Sequence, residues 1–368
     1  MIIGIDTRIS ENKKTGIGHM LNNIIPEIIS LDKKNNYKLV GSSLGLKEAN
    51  LKIFSFRRLF QRILNFLWKK VFFPPVNFLI GKTDIFFFTN FVDFPVRAKK
   101  RILMIIDMSF IKYPEFTEKK NLLFLKKGIK GAIKRADKIL TISENAKKEI
   151  VAHYSVSENL VEVIYLDCNK NIELVRDNSK IEKIKGKYKI SGKYIIFVGT
   201  LEPRKNIRGL IEAYNNLNDD LKGEYKLVIC GGRGWYYNEI FDIVKEKNIE
   251  DRVIFTGYTN DKDISSLYSG ASLLVHVPFY EGFGLTILEG FKCEVPVVCA
   301  DNSSLKEVGG DAVIYCKAEN TKSITQSIES VLRNEKLKKE LISKGKKQLE
   351  KFSWERSAKK IVEIFESI

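Results

Sequence analysis

The sequence predicts an α/β protein of two doubly wound domains, each a parallel sheet with helices on both faces. Three observations carry this. Short apolar runs of strand length recur along the chain, each followed by a glycine-rich or polar loop and then an amphipathic run of helical period. The 368 residues are too many for one ordinary domain and fit two of about 170–190 each. The pattern also restarts after a polar, lysine-rich stretch at 167–193. This places a first domain at 1–180, a second at 181–352 and a last helix at 353–368.

Taken in order, IIGID opens the chain as a buried strand. A loop with Gly16 and Gly18 and an apolar-periodic helix follow, the order of a first βα unit. TGIGH lacks the third glycine of a dinucleotide fingerprint, so the loop reads equally as a tight turn that lets a ligand approach the backbone. YKLVGSS at 37–43 is the second strand. Residues 52–83 hold seven basic residues and no acid. Within them Phe56, Phe60, Ile63, Leu64, Leu67, Trp68 and Val71 recur at helical spacing, with Arg58, Arg62 and Lys69 opposite, and the run ends near Pro74–Pro75. That is a basic amphipathic helix, the pattern of a segment lying in an anionic membrane interface; a core-facing helix with a basic outer face is the plain alternative.

Strands follow at 84–89 and 101–106, the second leading into Asp107. An acid just beyond a buried parallel strand is where open α/β sheets place ligand residues. A second basic helix buries Leu122, Leu125, Ile129 and Ile133 and exposes Lys126, Lys127, Lys130 and Lys134. A strand at 138–142 precedes a helix that Ser143 starts, and a strand at 161–166 leads to the boundary stretch, with a short helix at 180–190. Beyond it, strands at 194–199, 252–258 and 271–277, with YKLVICGG between, alternate with helices beginning at Ile207 and at 261.

The second half is organised around VHVPFYEGFGLTILEGFKCEVPVVCADNSSLKEVGGD, residues 275–311. Glu281, a Gly282–Phe283–Gly284 turn into Leu285, and Glu289 two helical turns on lie between two strand-like runs. A strand-to-helix turn points unpaired N–H groups outward and suits an anion. Carboxylates at both ends suit hydroxyls, or a ligand with both sugar-like and phosphate-like groups; a surface helix with two solvated glutamates is the alternative. Loops after three strands, at Gly199–Lys205, Gly231–Trp235 and Glu281–Leu285, gather at one sheet edge. Arg204 and Lys205 there supply positive charge for a diphosphate, and Arg233 could add more.

Composition narrows the classes. A content of 44% hydrophobic and 29% charged residues is that of a globular protein with real cores. The five cysteines form no CxxC pair and the three histidines lie far apart, so reduced thiols and no metal site are expected. His276, in an apolar strand, reads as a packed or locally bonded core histidine. The opening strand leaves no room for a signal peptide, and no apolar run reaches the roughly 18 residues of a spanning helix. No G-x-S-x-G or Walker motif is present. The net charge of +17 is uneven: residues 1–189 carry 36 basic and 19 acidic residues, residues 190–368 carry 26 of each. The first half therefore faces something negative. Nucleic acid is disfavoured, because the aromatics share the apolar face with aliphatics instead of alternating with charges.

FVGTLEPRKNIRGLIEA at 197–213, GG-x-GW at 231–235, EGFGLTILEGFKCEVPVV at 281–298, EVGGDA at 307–312 and the SWERSA tail together resemble the retaining family 4 glycosyltransferases. The resemblance covers the second half closely. The first half keeps the Gly16–Gly18 loop and the D-x-SF segment at 107–110. It implies the GT-B arrangement, two Rossmann-like domains facing across a cleft, with the last helix crossing back to the first domain. The second domain would bind a nucleotide-diphosphate sugar: Glu281 against the transferred sugar, Glu289 on the ribose, Arg204 and Lys205 on the diphosphate. Gly282, Phe283, Gly284, Leu285, Gly199, Thr200, Arg233, Gly16 and Gly18 would line the donor, and Asp107 would join the catalytic group. The family works without a bound metal or other cofactor and retains anomeric configuration by attack from the face the nucleotide leaves. Three positions depart from it: Ile106 precedes Asp107 where a histidine is common, Thr200 follows Gly199 where an arginine is, and Glu294 replaces a small residue.

The expected function is transfer of a hexose or deoxyhexose, mannose from GDP-mannose first, to a lipid-linked or cell-surface glycan such as lipopolysaccharide. The enzyme would sit in the cytoplasm, peripheral on the inner face of the membrane, its basic half against anionic lipid. A transferase with a soluble acceptor of the glycogen or sucrose type, and a non-catalytic sugar-nucleotide or glycan-binding protein, are the rivals.

Overall fold

The computed structural model describes every residue except 12–15 and 56–57, and no side chain at 10, 11, 58, 59, 61 or 69. The chain divides into two units. One is Met1–Lys112, Lys119–Leu166 and Ser353–Ile368; the other is Tyr113–Glu118 and Asp167–Phe352.

The first unit holds a sheet of β1 (Ile2–Thr7), β2 (Asn36–Gly41), β3 (Leu51–Phe54), β4 (Ile85–Phe88), β5 (Lys100–Met104), β6 (Lys138–Thr141) and β7 (Val161–Val163). Their order is β3-β2-β1-β4-β5-β6-β7, and every pairing is parallel. Parallel strands covered on both faces read as continuous apolar runs, as Phe86, Phe87 and Phe88 do in β4, all buried. A Cβ at Gly4 in β1 would lie 2.5 Å from the Phe86 ring, so the glycine makes room for that side chain. The Ser353–Ile368 helix belongs to this unit. Its Ser357 hydroxyl donates to Tyr165 O, Lys360 pairs with Glu162 at 2.6 Å, and Phe365 meets Phe87 edge-on.

Residues 51–54 form a strand, β3, that was not expected; only the Leu51 and Phe54 ends of this edge strand are half-buried, which hides its period in the sequence. The basic helix itself is Arg58–Val71, and its apolar stripe is split. Leu64 and Trp68, one turn apart, are buried, whereas Phe60, Ile63 and Val71 are exposed, along with Phe66. Trp68 fixes the inner side: its indole N–H donates to Pro74 O at 2.7 Å and its ring stacks on Phe94 at 4.5 Å. Arg8, paired with Asp6 at 2.8 Å, lies 4.2 Å over the Phe94 ring. Phe56 and Arg57 lie outside the described residues, as do the side chains of Arg58 and Lys69.

The second unit holds β8 (Lys193–Val198), β9 (Tyr225–Cys230), β10 (Val253–Gly257), β11 (Leu273–His276), β12 (Val297–Ala300) and β13 (Ile314–Cys316). The order is β10-β9-β8-β11-β12-β13, again wholly parallel. This is the doubly wound order, and its direction reverses between β8 and β11, where such sheets open a crevice at the strand ends. The unit begins at Asp167, ahead of the boundary expected at 180. Residues 169–175 are tied to the Asp261–Ser269 helix: Asn171 donates to Asp261 at 2.9 Å, and Val175 N donates to the Ser269 hydroxyl at 2.9 Å. Segment 113–118 joins this unit through Phe116, whose carbonyl accepts from the Trp235 indole at 2.7 Å and whose ring stacks on Phe279 at 5.4 Å.

Candidate active site in the second unit

The site grows from the two loops at the β8–β11 reversal. The loop after β8 runs through a short 3-10 turn, Pro203–Lys205, into the Ile207–Asn215 helix. Buried Asn206 donates to Val277 O and Ala318 O at 3.1 and 2.8 Å, pinning this loop to the one after β11. Phe279 N donates to Arg204 O at 2.9 Å, and Arg204 Nη1 donates to Tyr280 O at 2.9 Å. The two loops are therefore one hydrogen-bonded unit.

That unit brings Arg204, Lys205, His276 and Glu281 together. Lys205 Nζ stands 2.5 Å from Glu281 Oε2, with Arg204 Nη1 at 3.6 Å and His276 Nε2 at 3.3 Å from the same oxygen. Burial pushes the Glu281 carboxyl up, but Lys205 and then Arg204 outweigh it and hold the group well below the usual carboxylate range. Burial lowers His276 from its ordinary value, so it is neutral at pH 7; it is fully buried, and among the described residues neither ring nitrogen has a well-aligned hydrogen-bond partner. Arg204 is also anchored by buried Glu202 at 2.5 Å. The result is a fixed carboxylate beneath two fixed cations.

The turn carrying Glu281 is held from below by the loop after β12. Ser303 Oγ accepts from Glu281 N at 3.0 Å, and Asn302 Nδ2 donates to Pro278 O at 2.9 Å. Buried Ser304 places its hydroxyl 2.7 Å from Glu281 O and 2.9 Å from Phe283 O. Gly284 enters the Leu285–Lys292 helix with φ of 114°, a conformation only glycine adopts at ease, and no side chain caps this helix start, the end of a helix that suits an anion. Glu289 lies one turn into that helix, its Oε2 accepting from the Tyr268 hydroxyl at 2.8 Å. Burial raises its carboxyl to about 7.

The loops after β8 and β9 are also zipped together. Leu201 N donates to Gly232 O at 2.9 Å and Gly234 N to Leu201 O at 3.1 Å. A Cβ at Gly231 would lie 1.8 Å from Gly199 O, so only glycine fits there. Thr200 packs in this zip, half-buried, within contact of Gly234. Arg233 is carried over the rings of Tyr237 and Phe241, at 5.4 and 5.7 Å. A cavity of about 380 Å³ behind the loop, lined by Phe116, Glu202, Asn206, Arg208, Glu239 and Glu319 among others, includes neither Glu281 nor Glu289.

Residues 179–348 match the family model described as glycosyl transferases group 1. The O-antigen chain mannosyltransferase B of Escherichia coli is 32% identical over 262 residues, covering 71% of this chain and 68% of that protein. The chain belongs to the group 1 glycosyl transferases. The serotype-specific mannosyltransferase WbdA of Escherichia coli is 29% identical over 234 residues; the match takes in 63% of this chain but 29% of that longer protein. Among solved structures, Anabaena HepE in complex with UDP and glucose superposes with a TM-score of 0.74 at 18% identity, over 100% of this chain and 99% of the other, a likeness of fold.

This glycosyltransferase therefore has the GT-B fold, two parallel sheets each flanked by helices. Its remaining candidate residues belong to the first unit. Gly16 and Gly18 form the first turn of the Gly16–Leu31 helix, where Gly18 O accepts from Asn22 Nδ2 at 2.7 Å; the loop before them lies outside the described residues. Asp107 follows β5 beside buried Ile106 and accepts from Ser109 N and the Ser109 hydroxyl at 2.9 and 2.7 Å, starting the Ser109–Lys112 helix. Sequence reasoning had singled out neither Tyr268 nor Ser303 and Ser304. The small-polar run after PVVCA was the available signal for the serines; Tyr268 offered none.

Proposed function

We propose that this glycosyltransferase moves a hexose or deoxyhexose from a nucleotide-diphosphate donor to a lipid-linked or cell-surface glycan, with retention of configuration. GDP-mannose is the first donor to test, because the Escherichia coli relative is an O-antigen chain mannosyltransferase. The observation that carries the reading is the convergence of Arg204 and Lys205 on Glu281 at the sheet reversal.

In this reading Arg204 and Lys205 neutralise the diphosphate, aided by the N–H groups after Gly284. Positive groups fixed before the reaction stabilise the charge that builds on the leaving phosphate. The acceptor hydroxyl bonds to the anomeric carbon on the face from which the diphosphate departs, and its proton goes to a departing phosphate oxygen. Glu281, held anionic, accepts from sugar hydroxyls and faces the developing positive charge at the ring. Glu289 accepts from the ribose hydroxyls. No metal is invoked, so the neutralisation falls on these side chains. Gly199, Thr200, Arg233, Gly16 and Gly18 are assigned to the donor, and Asp107 to the catalytic group.

The acceptor side supports a membrane. The Arg58–Val71 helix exposes Phe60, Ile63 and Phe66 beside Arg62 and Lys70, and Phe73 and Phe78 are exposed just beyond it. Apolar rings set among cations fit the headgroup boundary of an anionic leaflet. Among the described residues no helix is long and apolar enough to cross a bilayer. Peripheral attachment at the inner face is the arrangement proposed.

Turnover with a panel of nucleotide sugars and a lipid-diphosphate glycan, with the product's anomer assigned by NMR, tests the reaction. Retained configuration on the lipid-linked acceptor is expected. Inversion contradicts the mechanism, and turnover confined to soluble glycans contradicts the acceptor. Neutralising Arg57, Arg58, Arg62, Lys69 and Lys70 should abolish binding to vesicles containing phosphatidylglycerol; undiminished binding removes the membrane from the account.

A further inference from the structure

Tyr268 lies outside every motif that carries the donor site, yet it makes the one side-chain hydrogen bond described for the Glu289 carboxylate. It stands at the end of the Asp261–Ser269 helix with its ring fully buried. Both partners are locked to the sheet. The helix bearing Tyr268 is braced by fully buried Tyr194 of β8, whose hydroxyl donates to Leu267 O at 2.7 Å. The helix bearing Glu289 presses on β11 through Gly290, where a Cβ would come 2.6 Å from Leu274 Cδ2. The 2.8 Å contact thus joins two elements with little freedom to separate.

We propose that Tyr268 is a positioning residue whose phenol, donating to Oε2, fixes the Glu289 carboxylate in one rotamer and as a hydrogen-bond acceptor for the vicinal hydroxyls of the donor ribose. The proposal rests on the ribose reading of Glu289. A phenol that donates to Oε2 leaves Oε1 and the second lone pair of Oε2 for the ligand. Only the ionised carboxylate keeps all of these sites as acceptors.

The surroundings make that ionisation a live matter near neutral pH. Burial drives Glu289 up to about 7; the Tyr268 bond opposes this, Asp261 on the same helix adds to it, and Lys292 on Glu289's own helix opposes it. The thiols of Cys168 and Cys293 also face the carboxylate, and burial keeps both protonated, pushed up to about 12. Burial, and then the Glu289 charge, push the Tyr268 phenol well above its ordinary value. Tyr268 is therefore a permanent donor across the whole range in which Glu289 titrates.

The test is calorimetric titration of the full chain with GDP and with UDP at several pH values between about 5.5 and 8.5. Wild-type affinity should rise with pH through about 7 and then level off, and Glu289→Gln should flatten that rise. Tyr268→Phe keeps the ring and deletes the donor. It should move the midpoint up by about one pH unit, so that affinity falls about tenfold on the rising limb and returns toward wild type at the alkaline end. Difluorotyrosine at 268, a stronger donor of nearly the same shape, should move the midpoint down, which keeps the test open should the Phe variant fold poorly. A Phe variant weakened by one constant factor at every pH, or not at all, overturns the role of Tyr268 while Glu289→Ala still loses nucleotide. Binding unchanged by Glu289→Ala overturns the ribose reading and this inference with it.

Discussion

Lys205 Nζ and Glu281 Oε2 stand 2.5 Å apart, joining the loop that leaves β8 to the loop that leaves β11. Those strands are the neighbours between which the sheet order reverses. A single contact therefore marks where the sheet order reverses and sets opposite charges side by side there.

Lys205→Ala should lower turnover about 100-fold, the usual cost of losing one fixed electrostatic group. It should also change the pH dependence. Burial raises Glu281, and Lys205 is the largest influence bringing it down. Without Lys205 the carboxyl ionises at higher pH, so the acidic limb of the kcat profile moves toward neutrality. A limb that stays in place would show that Glu281 is not the titrating group.

Glu289 predicts a conflict between stability and function. Its carboxyl, raised from an ordinary 4.5 to about 7, binds its proton more tightly folded than unfolded. The stability this gives is fully present below pH 4.5 and is lost as pH rises through about 7. Glu289→Gln should therefore raise the unfolding free energy at about pH 8 by up to roughly 3 kcal/mol, and with it the melting temperature, and change both little at about pH 5. Thermal melts at the two pH values check this, and equal shifts at both would contradict it.

Gly231→Ala sets a Cβ 1.8 Å from Gly199 O, where both sides of the clash are backbone. The zip between the loops after β8 and β9 must open to relieve it. Urea unfolding should show a loss of about 3 kcal/mol or more. A change within about 0.5 kcal/mol would mean that this approach is not fixed.

Most strands, the helices beginning at Ile207 and Asp261 and the last helix were legible in the sequence, because parallel strands and loop glycines leave local marks; the helices Asn238–Glu246, Thr321–Leu332 and Glu335–Leu349 and the short strand Ile314–Cys316 were not read from it. Glu281, Glu289, Arg204 and Lys205 all fall in such marks. What brings them to working geometry does not. Tyr268 is a plain apolar-face position of its helix until folding sets it 2.8 Å from a carboxylate 21 residues on. His276 reads as a core histidine, and it is one; only the sheet reversal puts its Nε2 3.3 Å from Glu281. In the first half, the stripe from Phe60 to Val71 announced an amphipathic helix. The sequence period cannot say which part of a wide stripe is buried; Trp68 stacks on Phe94, and Leu64, one turn before it, is buried with it. β3 escaped for a related reason: an edge strand with two exposed central residues has no alternation to read.

The most direct test of the donor site is calorimetric titration with GDP-mannose, wild type against Glu289→Ala. The account predicts saturable binding that the substitution abolishes. Undiminished binding by the Ala variant would contradict it.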